Sequence, residues 1–202
     1  MFRKFLDNIS HTRLLSLIRN KITDIRTLDL IEMIIKSFET KLDTGLPLGN
    51  VTSQLFANIY LNELDQFIKH KLKIRYYIRY CDDFVILDED KEVLEKYLKE
   101  INCFLISESL LELYSNKITF RKISQGIDFL GYIVFPHYII LRTKTKKRII
   151  KKIKYSIQQY NDNQITRGIL DSRISSYLGI LTHCYGNKIK AEIFSILQRN
   201  PI

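Results

Sequence analysis

Tryptophan is absent from this sequence, proline occurs 3 times, glycine 7 times and cysteine 3 times. No Gly/Ser linker, internal repeat or low-complexity stretch divides the chain, so boundaries must come from changes in periodicity and charge. Cys81, Cys103 and Cys184 are odd in number and widely spaced, and His11, His70, His137 and His183 add no metal-ligand spacing. That pattern excludes a disulfide framework and a zinc site, and the thiols read as reduced. No apolar run approaches the roughly 20 residues that a spanning helix needs. The longest candidate, Tyr132 to Leu141, is broken by Pro136 and His137. The opening Met1-Phe2-Arg3-Lys4-Phe5-Leu6-Asp7 reaches charge at once, without the apolar stretch and cleavage site of a signal peptide. The expectation is a soluble, cytoplasmic protein.

Apolar residues make up 46% of 202 positions, enough to bury a core in one domain or two small ones. Lysine and arginine number 32 against 22 acidic residues, and the formal charge of +10 favours a polyanionic partner, either nucleic acid or an anionic membrane surface. Charge alone does not choose between them.

Ser10 stands where it caps a helix carrying Leu14, Leu15 and Ile18, and Leu28, Leu30, Ile31, Ile34, Ile35 and Phe38 mark a second helix before the Gly45-Leu46-Pro47 break. After Asn50, Leu55, Phe56, Ile59, Tyr60, Leu64, Phe67 and Ile68 follow the spacing of a long buried helix of about five turns, ending near Leu72. Arg75 to Tyr80 and Phe84 to Leu87, rich in aromatic and β-branched residues, flank Cys81-Asp82-Asp83 as the arms of a hairpin with a polar tip. A helix from about Lys91 to Ile106 leads to short strands near Ile118 to Arg121, Asp128 to Phe135 and Tyr138 to Leu141. From Thr143 the character turns basic and helical, with no further strand signal. The pattern predicts an α+β domain over 1–142 and a helical domain over 143–202.

Asp82 and Asp83 are adjacent carboxylates on a predicted turn, and hard oxygen ligands suit magnesium, which takes few protein ligands and leaves room for phosphate. Standing alone they read equally as turn formers. Gly45 to Gln54 is a turn running into a helix start, where glycine admits close backbone approach and free amides attract anions. By itself it also reads as an ordinary turn with Asn50 or Thr52 as cap. Arg142, Lys144, Lys146, Lys147, Arg148, Lys151, Lys152 and Lys154 contain no acid among them, while Ile149, Ile150, Ile153 and Ile157 form an apolar stripe at helical spacing. A basic helical face follows, either solvated or in contact with phosphates.

Together these segments carry a resemblance. Tyr76-Tyr77-Ile78-Arg79-Tyr80-Cys81-Asp82-Asp83-Phe84-Val85-Ile86-Leu87 resembles the Tyr-x-Asp-Asp hairpin of reverse transcriptases. Leu46-Pro47-Leu48-Gly49-Asn50-Val51-Thr52-Ser53-Gln54 resembles that family's template- and nucleotide-binding helix, in its order and spacing. Ser115-Asn116-Lys117 is similar to the family's lysine motif, and Gly126-Ile127-Asp128-Phe129-Leu130-Gly131-Tyr132 to its primer-gripping hairpin. By residue type alone, Lys117 reads as a surface lysine and Phe129, Leu130 and Tyr132 as strand core. Group II intron enzymes usually end the helix motif Ser-Pro. The Ser53-Gln54 form is more typical of diversity-generating retroelements, which makes that subgroup the specific expectation and a group II intron or retron type the alternative.

The resemblance implies a polymerase palm, an antiparallel sheet with helices, followed by an α-helical thumb and lacking the fingers. It implies RNA-directed DNA polymerase activity by two-metal nucleotidyl transfer, with Asp82 and Asp83 holding Mg2+, for which Mn2+ can substitute. Gly49, Asn50, Ser53, Gln54 and Tyr80 would shape the nucleotide, template and primer site, Lys117 would neutralise the leaving pyrophosphate, and Lys144, Lys147, Arg148 and Lys151 would contact nucleic-acid phosphates. An RNA template, a DNA primer, deoxynucleoside triphosphates and a basic accessory protein of a retroelement are the implied partners, with no membrane.

The sequence departs from the family in one respect that matters for chemistry. Met1-Phe2-Arg3-Lys4-Phe5-Leu6-Asp7-Asn8-Ile9 is similar to the usual Asp-Ile-Lys-Lys-Phe-Phe-Asp-Ser-Ile, so Met1 stands where a catalytic aspartate is expected, and Leu6 where an aromatic ring excludes the ribose 2′-hydroxyl. Asp7 lies six residues too far along to replace it. The expectation is an N-terminally truncated palm that is inactive in isolation, with a rival reading as a non-catalytic nucleic-acid-binding remnant. A membrane-surface protein remains the third reading, on charge alone.

Overall fold

The computed structural model describes residues 4–109 and 111–199, which carry seven α-helices and five strands. Two compact units divide them, residues 1–120 and 121–202.

In the first unit, helix α1 (His11–Arg19) begins where Ser10 caps it, its side chain accepting from Arg13 N at 3.2 Å. Leu14, Leu15 and Ile18 are buried on one face, as their spacing predicts. Helix α2 (Ile25–Lys36) is capped by Asp24, which accepts from Thr27 N at 2.8 Å. Of its expected apolar stripe only Ile35 is fully buried, and Leu30 is exposed, so this helix rides on the surface of the core.

Helix α3 (Val51–Gln66) packs beside α1 in the first unit. Ser53, Phe56, Ala57, Tyr60, Leu61 and Leu64 are buried, the i, i+3, i+4 and i+7 pattern of one face. Leu55, expected inside, is exposed on the other side. Burying each large apolar side chain on such a face stabilises by roughly 1.5–3 kcal/mol. The helix then widens into a π-turn at Phe67–Lys71, and helix α4 (Lys91–Phe104), capped by Asp90, widens likewise at Leu105–Ser109. The two loosened ends meet where Phe67 stacks on Phe104, with centroids 4.2 Å apart and planes at 9°.

Strands β1 (Tyr76–Tyr80) and β2 (Asp83–Leu87) form an antiparallel hairpin with Tyr80 opposite Asp83 and Arg79 opposite Phe84. Alternation puts Tyr77, Phe84 and Ile86 against the core, while Tyr76, Ile78 and Tyr80 are exposed on the other face.

The strand expected at Ile118 to Arg121 does not form. Ser115–Lys117 and Ile123–Gln125 are 3-10 turns on either side of it, the segment between joins neither sheet, and Phe120 is exposed. β propensity without a neighbouring strand to pair with yields extended coil.

The second unit holds strands β3 (Ile127–Phe129), β4 (Tyr132–Val134) and β5 (Ile139–Leu141), an antiparallel meander. What the sequence suggests as one strand from Asp128 to Phe135 is two, because Leu130 (φ +53°) and Gly131 (φ +86°) turn the chain. Two successive positive φ values are what a two-residue type I′ connection demands. Helices α5 (Thr143–Asn161), α6 (Arg167–Ile180) and α7 (Asn187–Arg199) pack around Ile149, Ile153, Ile157, Leu170, Ile174, Ile189 and Ile193.

The units divide between 120 and 121, whereas composition changes at 143. Leu141 of β5 belongs to the helical core, Tyr132 donates its hydroxyl to Ile180 O at 3.3 Å, and Tyr185 N bonds Ile139 O at 2.7 Å. The small sheet is therefore built into the helical unit.

Candidate active site

The hairpin tip starts from its turn. Tyr80 and Asp83 close a two-residue connection, and Cys81 takes φ +51°, the sign such a turn requires at its first position. A side chain at positive φ is uncommon outside glycine, and the arrangement persists only when its surroundings hold it. They do so here. On the core-facing side of β1, Arg79 makes a forked ion pair with Asp65 of α3, Nε to Oδ1 at 2.8 Å and Nη2 to Oδ2 at 2.5 Å. Its Nη1 donates to Asn58 Oδ1 at 3.3 Å and to Cys81 O at 2.9 Å. Tyr77 adds its hydroxyl to Asp65 Oδ1 at 2.7 Å. Burial, then the Asp65 carboxylate, push the Tyr77 hydroxyl well above its ordinary pKa, so it stays a donor, and the hydrogen bond to Asp65 raises that of Arg79 further.

Asp82 sits in the turn and Asp83 opens β2, both partly exposed. Adjacent oxygen ligands on a braced turn match the preference of magnesium for hard donors. Among the described residues no third metal-ligating side chain joins them, so the fit to a two-metal centre is partial. Asp7 lies in the 3-10 turn Leu6–Asn8, where its carbonyl accepts from Thr40 Oγ1 at 2.6 Å. Met1 is outside the described residues. Leu6 is partly buried against the core and bonds Leu46 N through its carbonyl at 2.9 Å.

The helix motif is placed by a strap. Asp43 accepts from Ser10 Oγ at 3.2 Å, Thr12 N at 3.3 Å and Thr12 Oγ1 at 3.0 Å, and Gly45 N bonds Ile9 O at 2.9 Å. The buried His11 ring holds Gly45 O at 2.6 Å, and since a carbonyl only accepts, its Nε2 carries the proton. From this strap the chain turns at Gly49 (φ +88°) and enters α3, with Asn50 as cap accepting from Thr52 N at 3.1 Å. Ser53 is 2% exposed, and its hydroxyl and that of Thr52 are buried without a hydrogen-bond partner. Buried hydroxyls left unpaired cost roughly 1–3 kcal/mol each. Gln54 is exposed, and Leu48, Val51 and Leu55 leave apolar surface beside it, 59 to 82% exposed.

Lys117 ends its 3-10 turn with its ammonium 5.5 Å from the Tyr114 ring centre. In the second unit, Lys144, Lys147, Arg148 and Lys151 are exposed on α5, opposite the buried Ile149, Ile153 and Ile157. Two cations of the same stretch are otherwise engaged: Lys146 with Glu192 at 2.9 Å, and Arg142 with Asp128. Sequence reasoning missed the Asp65, Asn58 and Arg79 network, and also Tyr155, which is 58% exposed four residues beyond Lys151. Helical angles alone place Tyr155 within the basic arc.

Residues 2–134 match the family model for reverse transcriptase (RNA-dependent DNA polymerase). The chain belongs to that family. Group II intron-encoded protein LtrA of Lactococcus lactis subsp. cremoris is 27% identical over 194 residues, covering 62% of this chain and 32% of its own length. Protein YkfC of Escherichia coli (strain K12) is 26% identical over 167 residues, covering 63% of this chain and 44% of its own length. An uncharacterized 91 kDa protein in the cob intron of Schizosaccharomyces pombe is 37% identical over 70 residues, 32% of this chain and 9% of its own length. The chain thus spans less than half the length of these curated relatives. No helix among the described residues is long and apolar enough to cross a membrane.

Proposed function

We propose that this chain binds an RNA template paired with a DNA primer and supplies the Asp82–Asp83 carboxylates of an RNA-directed DNA polymerase. The observation that carries this reading is the hairpin tip, where Asp82 in the turn and Asp83 at the start of β2 follow Cys81, whose carbonyl accepts from an Arg79 paired with Asp65 of α3. Asp82 and Asp83 would hold magnesium or manganese. The metal, when bound, supplies charge stabilisation at the phosphoryl group under attack.

The chain's own groups do the rest. Ser53 and Thr52 offer unpaired hydroxyls, and Gly49 and Asn50 bring backbone close at the start of α3, where a triphosphate or template phosphate gains from the helix amides. Gln54 and the exposed Leu48, Val51 and Leu55 suit a base lying against them. Tyr80, exposed beside Asp83 on the outer hairpin face, would support the primer end, and Lys117 would offset charge on the leaving pyrophosphate. The first unit would act as palm and α5 to α7 as thumb, with Lys144, Lys147, Arg148 and Lys151 on phosphates. With two carboxylates and no third beside them among the described residues, the 202-residue chain alone would bind without extending.

Within retroelements, Ser53-Gln54 favours a diversity-generating type with a basic accessory protein. The printed name of LtrA, a group II intron-encoded protein, favours a group II type.

Binding is tested by fluorescence anisotropy with a labelled RNA–DNA hybrid across a salt series, beside anionic vesicles. Tight binding to the hybrid that weakens steeply with salt, with no vesicle binding, is the expected result. Equal binding to vesicles would put the membrane-surface reading in its place.

A further inference from the structure

The tip has a support that its motif does not name. We propose that Arg79 is a positioning residue for Asp82, holding the Cys81–Asp82 peptide through the Cys81 carbonyl, and that Asp65 and Asn58 of α3 aim it. This rests on the reading of Asp82 and Asp83 as the metal-holding carboxylates.

Cys81 O belongs to the peptide plane that leads into Asp82. Fixing that oxygen at 2.9 Å from Nη1 fixes the rotations on either side of it, and with them the direction in which the Asp82 side chain leaves the backbone. The support is needed because Cys81 stands at φ +51°, a conformation a non-glycine residue leaves when nothing holds it. Arg79 is suited to the task by geometry. Its planar fork takes both Asp65 oxygens on one edge and has a nitrogen left for Asn58 and Cys81, so four hydrogen bonds lock it at once. A lysine ammonium reaches one or two of these acceptors and is a point charge on a flexible stem.

Asp65 has a second effect. The Arg79 side chain is 11% exposed and lies on the strand leading to Asp82, and its charge is taken up by Asp65. Without that carboxylate the guanidinium would lose the two bonds that fix its plane, and with them the aim of Nη1 at Cys81 O. Tyr77, bonded to Asp65 Oδ1, holds the carboxylate in place from β1.

A purely architectural role, pinning the hairpin to α3, makes a different prediction. Tyr77, Phe84 and Ile86 already pack the hairpin on the core, and Arg79→Lys retains a cation for Asp65. The test uses the 15N-labelled 202-residue chain, first without metal and then titrated with Mn2+, reading paramagnetic broadening of the Cys81 to Phe84 amides. Arg79→Lys should keep the thermal melting point near that of the unmodified chain. It should shift the Cys81 and Asp82 amides in the metal-free spectrum and weaken Mn2+ binding by about tenfold or more, the usual effect of losing an outer-shell partner. Asp65→Asn should weaken Mn2+ binding at least as much, with Arg79 intact.

Unshifted Cys81 and Asp82 amides together with an unchanged Mn2+ midpoint in Arg79→Lys would overturn the proposal and leave the pair architectural. If the unmodified chain shows no broadening at the tip, the metal reading fails. The metal-free shifts in Arg79→Lys then still decide whether Arg79 sets the turn.

Discussion

Replacing Lys144, Lys147, Arg148 and Lys151 together by glutamine should lower affinity for an RNA–DNA hybrid about a thousandfold at 0.1 M salt. Each phosphate contact contributes about 0.9 to the slope of log affinity against log salt. Four contacts contribute between three and four, and that difference accumulates over the tenfold range below 1 M, where the two proteins should bind alike. The four side chains are exposed on α5, opposite its buried isoleucines, and glutamine is nearly as good a helix former as lysine or arginine, so melting should not change. Lys146→Gln is the internal control, because its ammonium is already 2.9 Å from Glu192. A fourfold variant with an undiminished slope, or a Lys146 variant as impaired as any one member of the set, would show that α5 is a solvated surface.

Gly45→Ala should destabilise the first unit by about 3 kcal/mol. At φ +119° an alanine is strained, at a cost of roughly 1–3 kcal/mol. Its Cβ would also stand 2.8 Å from Thr40 Oγ1 and 2.9 Å from Thr40 N. The hydroxyl can swing away, but it would then give up Asp7 O, and the backbone nitrogen is held by Thr44 O at 2.9 Å. Overpacking of this kind typically adds 1–3 kcal/mol. For a unit of this size the loss should lower the melting point by about 10 °C, readable by circular dichroism. Since Gly45 bonds Ile9 and His11, faster amide exchange at His11 and Thr44 should accompany it. A melting point unmoved by the substitution would mean that the strap does not hold the turn from Thr40 to Gly45 in place.

Where local chemistry decides the backbone, the sequence was readable. Ser10 and Asn50 are short polar residues directly before apolar periodicity, and both cap helices. The aromatic and β-branched arms around Cys81-Asp82-Asp83 close as a hairpin because each arm finds the other within two residues. Ile118 to Arg121 has similar composition and no partner strand, which only the fold reveals. Leu55 fits the helical period as well as Phe56 does, yet one faces solvent and the other the core, because periodicity gives a face its width and neighbours decide where it ends. The same holds for the site. Asp82, Asp83 and the Gly49 to Gln54 turn are contiguous and carry the family resemblance by themselves. Asp65 and Arg79 are ordinary surface residue types 14 positions apart, and they meet only because the fold brings α3 and β1 within side-chain reach. Unit boundaries were hidden for the same reason, since β5 is joined in sequence to one composition and in space to the other.

The most direct test of the account is extension of a labelled DNA primer on an RNA template with magnesium or manganese, with the bound fraction recorded and Asp82→Ala run beside the unmodified chain. Two carboxylates on a braced hairpin and a basic helix predict primer–template bound by both proteins and extended by neither. Extension by the unmodified chain that Asp82→Ala abolishes would contradict the two-carboxylate limit, making Asp7 the next residue to replace. Failure to bind the primer–template at low salt would contradict the nucleic-acid reading itself.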